Sequence, residues 1–260
     1  MARRRRRWLI TLMVFVVVLA GLFVVADRVA VNVAEERMAD QAVTEMGNRD
    51  ITSASRPKVV IGGFPFLTQV LAGRYSKVTI DVDHPKDSKV TLDRLIISAN
   101  RVHAPLKTIT SRQGQVTSDA VRGTATMSWD AVRTLIDTTQ LRSIPNLDIS
   151  KLTIAVKDNK VNLSAPITVL GLSITLQASG TLAVAAGEVR LNIEDVRSVS
   201  DNGTTTAIPK SLLDQYRRQF NVRIAVPRLP YALTINRVET SASGVTLTAT
   251  AANVVLAGQS

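Results

Sequence analysis

The N-terminus places the strongest constraint on what this chain can become. Five arginines, Arg3 to Arg7, precede the run Trp8 to Ala26, which contains no ionisable side chain. At about 1.5 Å per residue this run forms a helix of about 28 Å, close to the thickness of the hydrocarbon core of a bilayer. It therefore predicts one membrane-spanning or signal segment. Under the positive-inside rule the arginines stay cytoplasmic, so the rest of the chain is exported across the plasma membrane.

The sequence leaves open whether this segment is retained. A cleaved signal peptide has an apolar core of about 7 to 15 residues and small residues at the cleavage site. The longer run here favours a retained anchor, although Val24 and Ala26 also permit a cut after Ala26. Because the chain has no cysteine, it has neither a lipoprotein anchor nor a disulfide framework. We expect residues 1–26 to be the export segment and residues 27–260 to form one extracytoplasmic domain.

The positive charge does not indicate a nucleic-acid partner. The chain carries a net charge of +11, and +6 remains once the five N-terminal arginines are set aside. The remaining excess is spread along the chain without a basic cluster, and the domain is predicted to lie outside the cytoplasm.

A helix is predicted directly after the apolar run, from Asp27 to Met46, because this stretch lacks proline and glycine. Apolar residues recur in it every four positions, with Val29 and Val33 nearby, while acids occupy other positions. A membrane-surface helix would have a polar face rich in lysine and arginine, so we expect this helix to pack on the domain core. The repeating positions are Ala30, Ala34, Met38, Ala42 and Met46.

From Lys58 onward most of the sequence alternates apolar and polar residues, as strands with one buried face do. A slip in this alternation at Asp93 and Arg94 predicts a β-bulge. Hairpins are predicted around Asp158 to Lys160, around Gly187 and across Ser241 to Gly244. Two short helices are predicted as well, one over Trp129 to Ile136 and one beginning at Pro209.

The predicted fold class is α+β, with an antiparallel sheet that has one apolar face and few helices to cover it. No helix alternates with the strands, so a parallel α/β fold is not expected. Two arrangements stay open: a barrel filled by its own side chains, or a sheet curved around the long helix that leaves an apolar trough.

Signatures of catalysis are missing from the sequence. It contains no cysteine, no G-x-S-x-G, no H-E-x-x-H and no phosphate-binding loop. His103 has no positioned partner in the sequence and is expected to be a structural or surface residue. Asp81, Asp83, His84 and Asp87 lie within seven residues, but a solvated hairpin end explains them better than a cation site. We expect a non-enzymatic protein with no catalytic residue, metal or cofactor.

One apolar segment has two interpretations. Gly62 and Gly63 allow close backbone approach, and Phe64, Pro65, Phe66 and Leu67 follow them. The segment is either a tight strand-to-helix corner whose rings lie in the core, or an apolar lip that admits a lipid tail or touches a bilayer.

Two stretches carry a family resemblance. Ile61 to Tyr75, IGGFPFLTQVLAGRY, is followed by the strand Val78 to Val82, and Leu229 to Leu256 forms the closing hairpin. Together with the export segment and the helix, they resemble the actinobacterial LmeA-like phospholipid-binding family over nearly the whole chain. The resemblance implies a half-barrel lipid-binding fold in which a curved sheet wraps around a long N-terminal helix. It also implies an exported protein that binds phospholipid and supports mannolipid (lipomannan) synthesis or envelope maintenance.

Only one segment of the site is carried over from the family: Phe64, Pro65, Phe66 and Leu67 as lipid or membrane contacts. The expected partners are a phospholipid ligand and the plasma membrane, with an envelope glycosyltransferase as a candidate, and the oligomeric state is open. The resulting hypothesis is a phospholipid carrier or sensor. The alternative is a membrane-anchored adaptor of an envelope enzyme with a filled β-core, whereas a hydrolase would need a site that the sequence does not show.

Overall fold

The structure, a computed structural model of the chain, describes residues 2–88, 90–111, 114–135, 148–157, 160–169, 172–200, 205–207, 222–224 and 230–257. The fold is α+β, as predicted: a long N-terminal helix is followed by two curved antiparallel sheets with short helices between some strands.

The long helix, α1 (Ala2–Gly47), is continuous. Its 46 residues extend about 69 Å, so the predicted span and the predicted amphipathic helix are two parts of one rod. Among the described residues it is the one helix long and apolar enough to cross a membrane, and none of its most apolar window is buried. A signal sequence would show the same property.

Burial along α1 begins at Asp27, where the apolar run ends. Beyond this point, buried and half-buried positions recur every three or four residues on one face, which confirms the predicted amphipathic helix. Val29 and Val33 lie on the opposite face and are exposed. The covered positions are Asp27, Ala30, Val31, Ala34, Glu35, Met38, Ala39, Ala42 and Met46.

Three short α-helices follow in the described part of the chain: α2 (Phe66–Ala72), α3 (Leu106–Ser111) and α4 (Trp129–Leu135). Two short 3₁₀ segments, Ile149–Lys151 and Pro230–Ala232, are also described. The helix predicted to begin at Pro209 lies outside the described residues, as does Ile136. The strands are β1 (Lys58–Gly62), β2 (Arg74–Asp83), β3 (Arg94–His103), β4 (Val116–Ser128), β5 (Thr153–Lys157), β6 (Lys160–Val169), β7 (Leu172–Ala185), β8 (Glu188–Ser200), β9 (Thr205–Ala207), β10 (Val222–Ile224), β11 (Thr234–Thr240) and β12 (Gly244–Ala257).

The strands form two sheets. Sheet 1 has the order β1-β2-β3-β4-β12-β11, and sheet 2 has the order β10-β8-β7-β6-β5, with β9 also paired to β8. All described pairs are antiparallel, and the three predicted hairpins are confirmed as β5–β6, β7–β8 and β11–β12.

The bulge predicted at Asp93 and Arg94 is not seen as a register shift, because β3 begins at Arg94 and pairs with β2 without a shift there. Just before β3, the Asp93 carbonyl accepts a hydrogen bond from the His84 N–H at 3.1 Å, and the Leu92 N–H donates to the Pro85 carbonyl at 2.9 Å, so the pairing continues beyond the strand ends. The change of phase thus falls at the start of a strand. Register shifts occur instead at Ser179/Gly180, Ile235/Arg237 and Val255/Ala257.

One face of sheet 1, which we call the inner face, contributes to both hydrophobic cores. On β4, Val121 packs in the core against α1, while Met127 on the same face packs in the core shared with sheet 2 and α4. Leu233, just before β11, packs against both cores. The inner face therefore runs continuously from the long helix to the second sheet.

Candidate functional site

The inner face of sheet 1 is apolar across all six strands. One cross-strand row consists of Val59, Ile80, Ile97, Gly123, Ala249 and Ile235. No side chain in this row carries a charge or a hydrogen-bonding group, so its chemistry suits hydrocarbon.

Small residues occupy the centre of this face, on β4 and β12. Gly123, Ala125, Ala249 and Ala251 alternate with outward-facing residues along these paired strands. Bulkier side chains flank them, because Ile97 is the cross-strand partner of Gly123 on one side and Ile235 pairs with Ala249 on the other. We call this strip of small residues the central trough.

Several side chains beside the central trough are only half-buried although their strands lie inside the sheet: Val78, Ile80, Leu95 and Ile97. Leu233 lies over the trough, since a Cβ built on Gly123 would be 3.6 Å from the Leu233 Cδ1 atom. An acyl chain lying along the trough would complete the burial of these side chains.

The predicted lip forms a corner between β1 and α2 that treats its two phenylalanines differently. Gly63 has φ +95°, which a glycine adopts readily, and the Phe64–Pro65 bond is cis. Phe66 is 6% exposed and packs 6.3 Å from the Tyr75 ring centroid, whereas Phe64 is 60% exposed. The corner interpretation thus describes Phe66, and the ring of Phe64 is left available for contact.

Asp27, which the sequence analysis did not select, holds this corner in place. Its side chain is fully buried and accepts hydrogen bonds from the Leu67 N–H at 2.8 Å and the Arg28 guanidinium at 2.6 Å. The residue at the N-cap position of α2 is Pro65, which makes no side-chain capping bond. Asp27 therefore supplies from α1 the acceptor that α2 lacks.

The charge state of Asp27 follows from these contacts. Burial raises the pKa of its carboxyl, but hydrogen bonds from Leu67, Arg28 and Phe66, with the charge of Arg28, outweigh burial and lower the pKa below its usual value. A signal for Asp27 was present in the sequence, because this acid falls on the covered stripe that also contains Ala30 and Ala34.

The corner lies at the level where the predicted span ends. Asp27 follows Ala26 directly, a rise of about 1.5 Å along the helix, and binds the first turn of α2. The Arg28 guanidinium lies 5.0 Å from the centroid of the Phe64 ring, within cation–π range. Phe64 is therefore fixed close to the end of the apolar helix.

Further contacts lock α1 to the edge of sheet 1. The Glu35 carboxylate accepts a hydrogen bond from the backbone N–H of Ile61 in β1 at 2.7 Å. Arg56, just before β1, donates to the Glu36 carbonyl at 2.8 Å and to the Asp40 carboxylate at 2.6 Å. Together with the hydrogen bonds of Asp27, these bonds attach the helix to the domain at three levels along its length.

A groove with a volume of about 770 Å³ lies where the short turn Pro230–Ala232 faces β12. Tyr231 and Asn253, both with positive φ, line it together with Thr234, Thr250 and Ala251. Ala251 also belongs to the core beside α1, so the groove adjoins the inner face.

The acidic residues near His84 are engaged with their neighbours. Asp81 forms an ion pair with Arg94, Asp83 lies 3.0 Å from the His84 ring, and Asp87 accepts a hydrogen bond from a backbone N–H of its own turn. In the described part of the chain, no three His, Cys, Asp or Glu residues are grouped so that they could hold a metal ion.

His103 also belongs to a surface ion-pair group. Its Nε2 lies 3.2 Å from Asp119, whose second oxygen accepts a hydrogen bond from Arg101 at 2.6 Å. The hydrogen bond from Arg101 is the main cause that lowers the pKa of Asp119. The arrangement links neighbouring strands β3 and β4.

Comparison with known protein families matches residues 25–250 to the LmeA-like phospholipid-binding family. No curated protein and no solved structure matches the chain. The matched region contains Asp27, the Phe64 to Leu67 corner and three residues of the central trough, Gly123, Ala125 and Ala249, and it begins beside the end of the apolar run. The chain therefore belongs to the LmeA-like phospholipid-binding family.

Proposed function

We propose that this protein is an extracytoplasmic phospholipid carrier or sensor of an actinobacterial cell envelope. The proposal rests on the central trough. The chain belongs to a family that binds phospholipid, and the middle strands of its apolar inner face, β4 and β12, carry glycine and alanine. In this proposal acyl chains lie along the trough, and the bound lipid supports lipomannan synthesis or envelope maintenance.

Burial of hydrocarbon is sufficient to hold such a ligand. Each methylene group that leaves water contributes about 0.8 kcal/mol, so an acyl chain of ordinary length binds tightly without any charged contact. The face offers the matching surface, because Val78, Ile80 and Ile97 are only half-buried. Binding of this kind requires no catalytic group.

The proposed route for the lipid passes the corner formed by Phe64, Pro65, Phe66 and Leu67. Phe64 is exposed and is held beside Arg28 at the end of the apolar helix, where a spanning segment leaves the bilayer. A lipid tail that leaves the membrane there meets an aromatic ring before it reaches the inner face.

The continuity of α1 favours an anchored mode of action. With the span retained, three sets of hydrogen bonds to α2, β1 and the segment before β1 keep the domain next to one bilayer. Local extraction or sensing then fits better than a freely diffusing shuttle, and an envelope glycosyltransferase in the same membrane would be a suitable partner.

The test is native mass spectrometry of the full chain released from nanodiscs, comparing Gly123→Val with Thr124→Val. The first substitution fills the trough beneath Leu233, whereas the second changes the opposite face of the same strand at nearly constant volume. We expect the wild type and Thr124→Val to retain phospholipid and Gly123→Val to lose most of it.

A milder variant controls for folding. Gly123→Ala places its methyl group at an ordinary contact distance from Leu233, so it should fold normally and lower lipid retention less than Gly123→Val. Equal retention by all folded variants would contradict a lipid in the trough and would favour the adaptor with a filled β-core.

A further inference from the structure

One end of sheet 1 gathers three segments that are distant in sequence. The β1–α2–β2 connection, the β3–α3–β4 connection and the last residues of β12 all lie there, because Arg74 pairs with His103 and Ala257 pairs with Val116. We call this the α2–α3 end. The Asp27 hydrogen bond to Leu67 joins it to the helix at the point where the apolar run stops.

The α2–α3 end is tightly built. The Ala104 N–H donates a 2.9 Å hydrogen bond to the Gly73 carbonyl, so the end of α2 touches the start of α3. Gly73 has φ +61°, and a Cβ there would lie 2.8 Å from the Pro105 Cα, a separation that only glycine permits. The two helices therefore form one continuous surface, which the Asp27 hydrogen bond to Leu67 joins to α1.

This surface exposes large apolar side chains. Phe64 is 60% exposed, Leu71 80%, Leu106 46% and Val255 48%. They come from α3, from β12 and from both ends of the α2 segment, yet all lie at the same end of the sheet. Exposed apolar groups brought together in this way mark a contact surface.

The charges at the same end are mainly positive. Arg74 and Lys107 are exposed there, and Arg28 lies against Phe64. Among the described residues of this end, 27–28, 62–77, 99–111, 114–120 and 251–257, there are two acids: Asp27, which pairs with Arg28, and Asp119, which Arg101 and His103 hold. The excess charge of this end is therefore positive.

The opposite end of sheet 1 differs in charge. The turn between β2 and β3, residues 84–93, contains Asp87 and Asp93 together with Lys86 and Lys89, so its charges balance. The domain thus has an apolar, basic end next to the predicted span and a charge-balanced turn at the far end.

We propose that the α2–α3 end is a docking surface for anionic phospholipid headgroups, with Phe64, Leu71 and Leu106 inserted between them. The inference rests on the proposed membrane location and deepens it by assigning the lipid class at the contact. Basic side chains attract an anionic leaflet, while the apolar side chains enter the interface. Because α1 is continuous and locked to α2, the α2–α3 end faces the bilayer from which the helix emerges.

The absence of cysteine makes this surface directly measurable. Single variants Leu71→Cys and Leu106→Cys, in the full chain, each receive an environment-sensitive NBD fluorophore. The control is Ala242→Cys, at an exposed position of the β11–β12 turn at the opposite end. The proteins are reconstituted in phosphatidylglycerol or phosphatidylcholine vesicles that contain a lipid with a headgroup-level nitroxide quencher. Circular dichroism checks that each variant is folded.

In phosphatidylglycerol we expect probes at positions 71 and 106 to shift their emission to the blue and to be strongly quenched, while the probe at 242 stays in water. Adding Arg74→Gln and Lys107→Gln should reduce the quenching at 71 to its level in phosphatidylcholine. Equal quenching in the two lipids would overturn the assignment to anionic headgroups. Unquenched probes at 71 and 106 in both lipids would overturn docking and leave this surface to a protein partner.

Failure of docking is distinguishable from failure of the proposed function. Gly123→Val changes the trough and leaves the α2–α3 end intact, so it should abolish lipid retention while quenching at position 71 persists. Lipid retention by the wild type together with unquenched probes would reject the docking surface alone.

Discussion

The two phenylalanines beside Pro65 give a sharp test of how this chain separates stability from contact with lipid. Phe66 is 6% exposed and packs on Tyr75, whereas Phe64 is 60% exposed. Truncation of a buried phenylalanine to alanine costs about 3–5 kcal/mol, through lost burial and the cavity that remains. An exposed substitution changes stability by about 0.5 kcal/mol or less.

These magnitudes translate into melting temperatures. At about 2–4 °C per kcal/mol for a domain of this size, Phe66→Ala should lower the unfolding temperature on the order of 10 °C, while Phe64→Ala should leave it nearly unchanged. Thermal unfolding of the reconstituted full chain, followed by far-ultraviolet circular dichroism, provides the comparison. Equal destabilisation by the two variants would refute the assignment of one ring to the core and the other to the surface.

The same pair separates function from folding. We expect Phe64→Ser to slow phospholipid exchange between donor and acceptor vesicles with little change in the unfolding temperature, because its ring is proposed to meet the lipid first. Unchanged exchange by the folded Phe64→Ser variant would remove Phe64 from the lipid route.

Two further substitutions, at Asp27 and Gly180, test contacts that stabilise the fold. The lowered pKa of Asp27 means that its charged form stabilises the fold at neutral pH. This contribution is lost as pH falls through the folded pKa, which lies below the usual carboxylate value of about 4. Denaturant titrations should therefore show a stability gap between wild type and Asp27→Asn that narrows on acidification; a constant gap would mean that the charge on Asp27 is irrelevant to its bond with Leu67. Gly180→Ala should destabilise the fold by about 1–3 kcal/mol in the same assay, because its Cβ would lie 2.1 Å from the Asn192 carbonyl oxygen. The control Gly123→Ala should be tolerated, and equal effects of the two substitutions would contradict the close packing at Gly180.

The sequence predicted those parts of the fold that depend on local periodicity. The four-residue repeat from Ala30 to Met46 identified the covered face of α1, and strict alternation identified the three hairpins. These patterns suffice because each reports which side of one element is buried. The break in alternation before Arg94 misled because a strand start and a bulge change the phase in the same way.

Contacts between distant elements were beyond the sequence. Nothing local shows that Asp27 caps a helix forty positions later, since the hydrogen bond depends on how α1 crosses the corner. The central trough was equally hidden, because Gly123 and Ala249 become neighbours only through the pairing of β4 with β12. The segment from Phe64 to Leu67 could be chosen from the sequence as a candidate, but its two rings could not be told apart without their surroundings.

Photolabelling with a phospholipid that carries a diazirine at the end of one acyl chain tests the central claim most directly. In nanodiscs the full chain should be labelled within residues 8–26 in any case, which provides an internal control for the reaction. We expect additional adducts on inner-face peptides that contain Ile97 and Leu233, and the loss of these adducts in Gly123→Val. Adducts confined to the apolar helix, in a folded wild-type protein, would contradict a lipid-binding inner face.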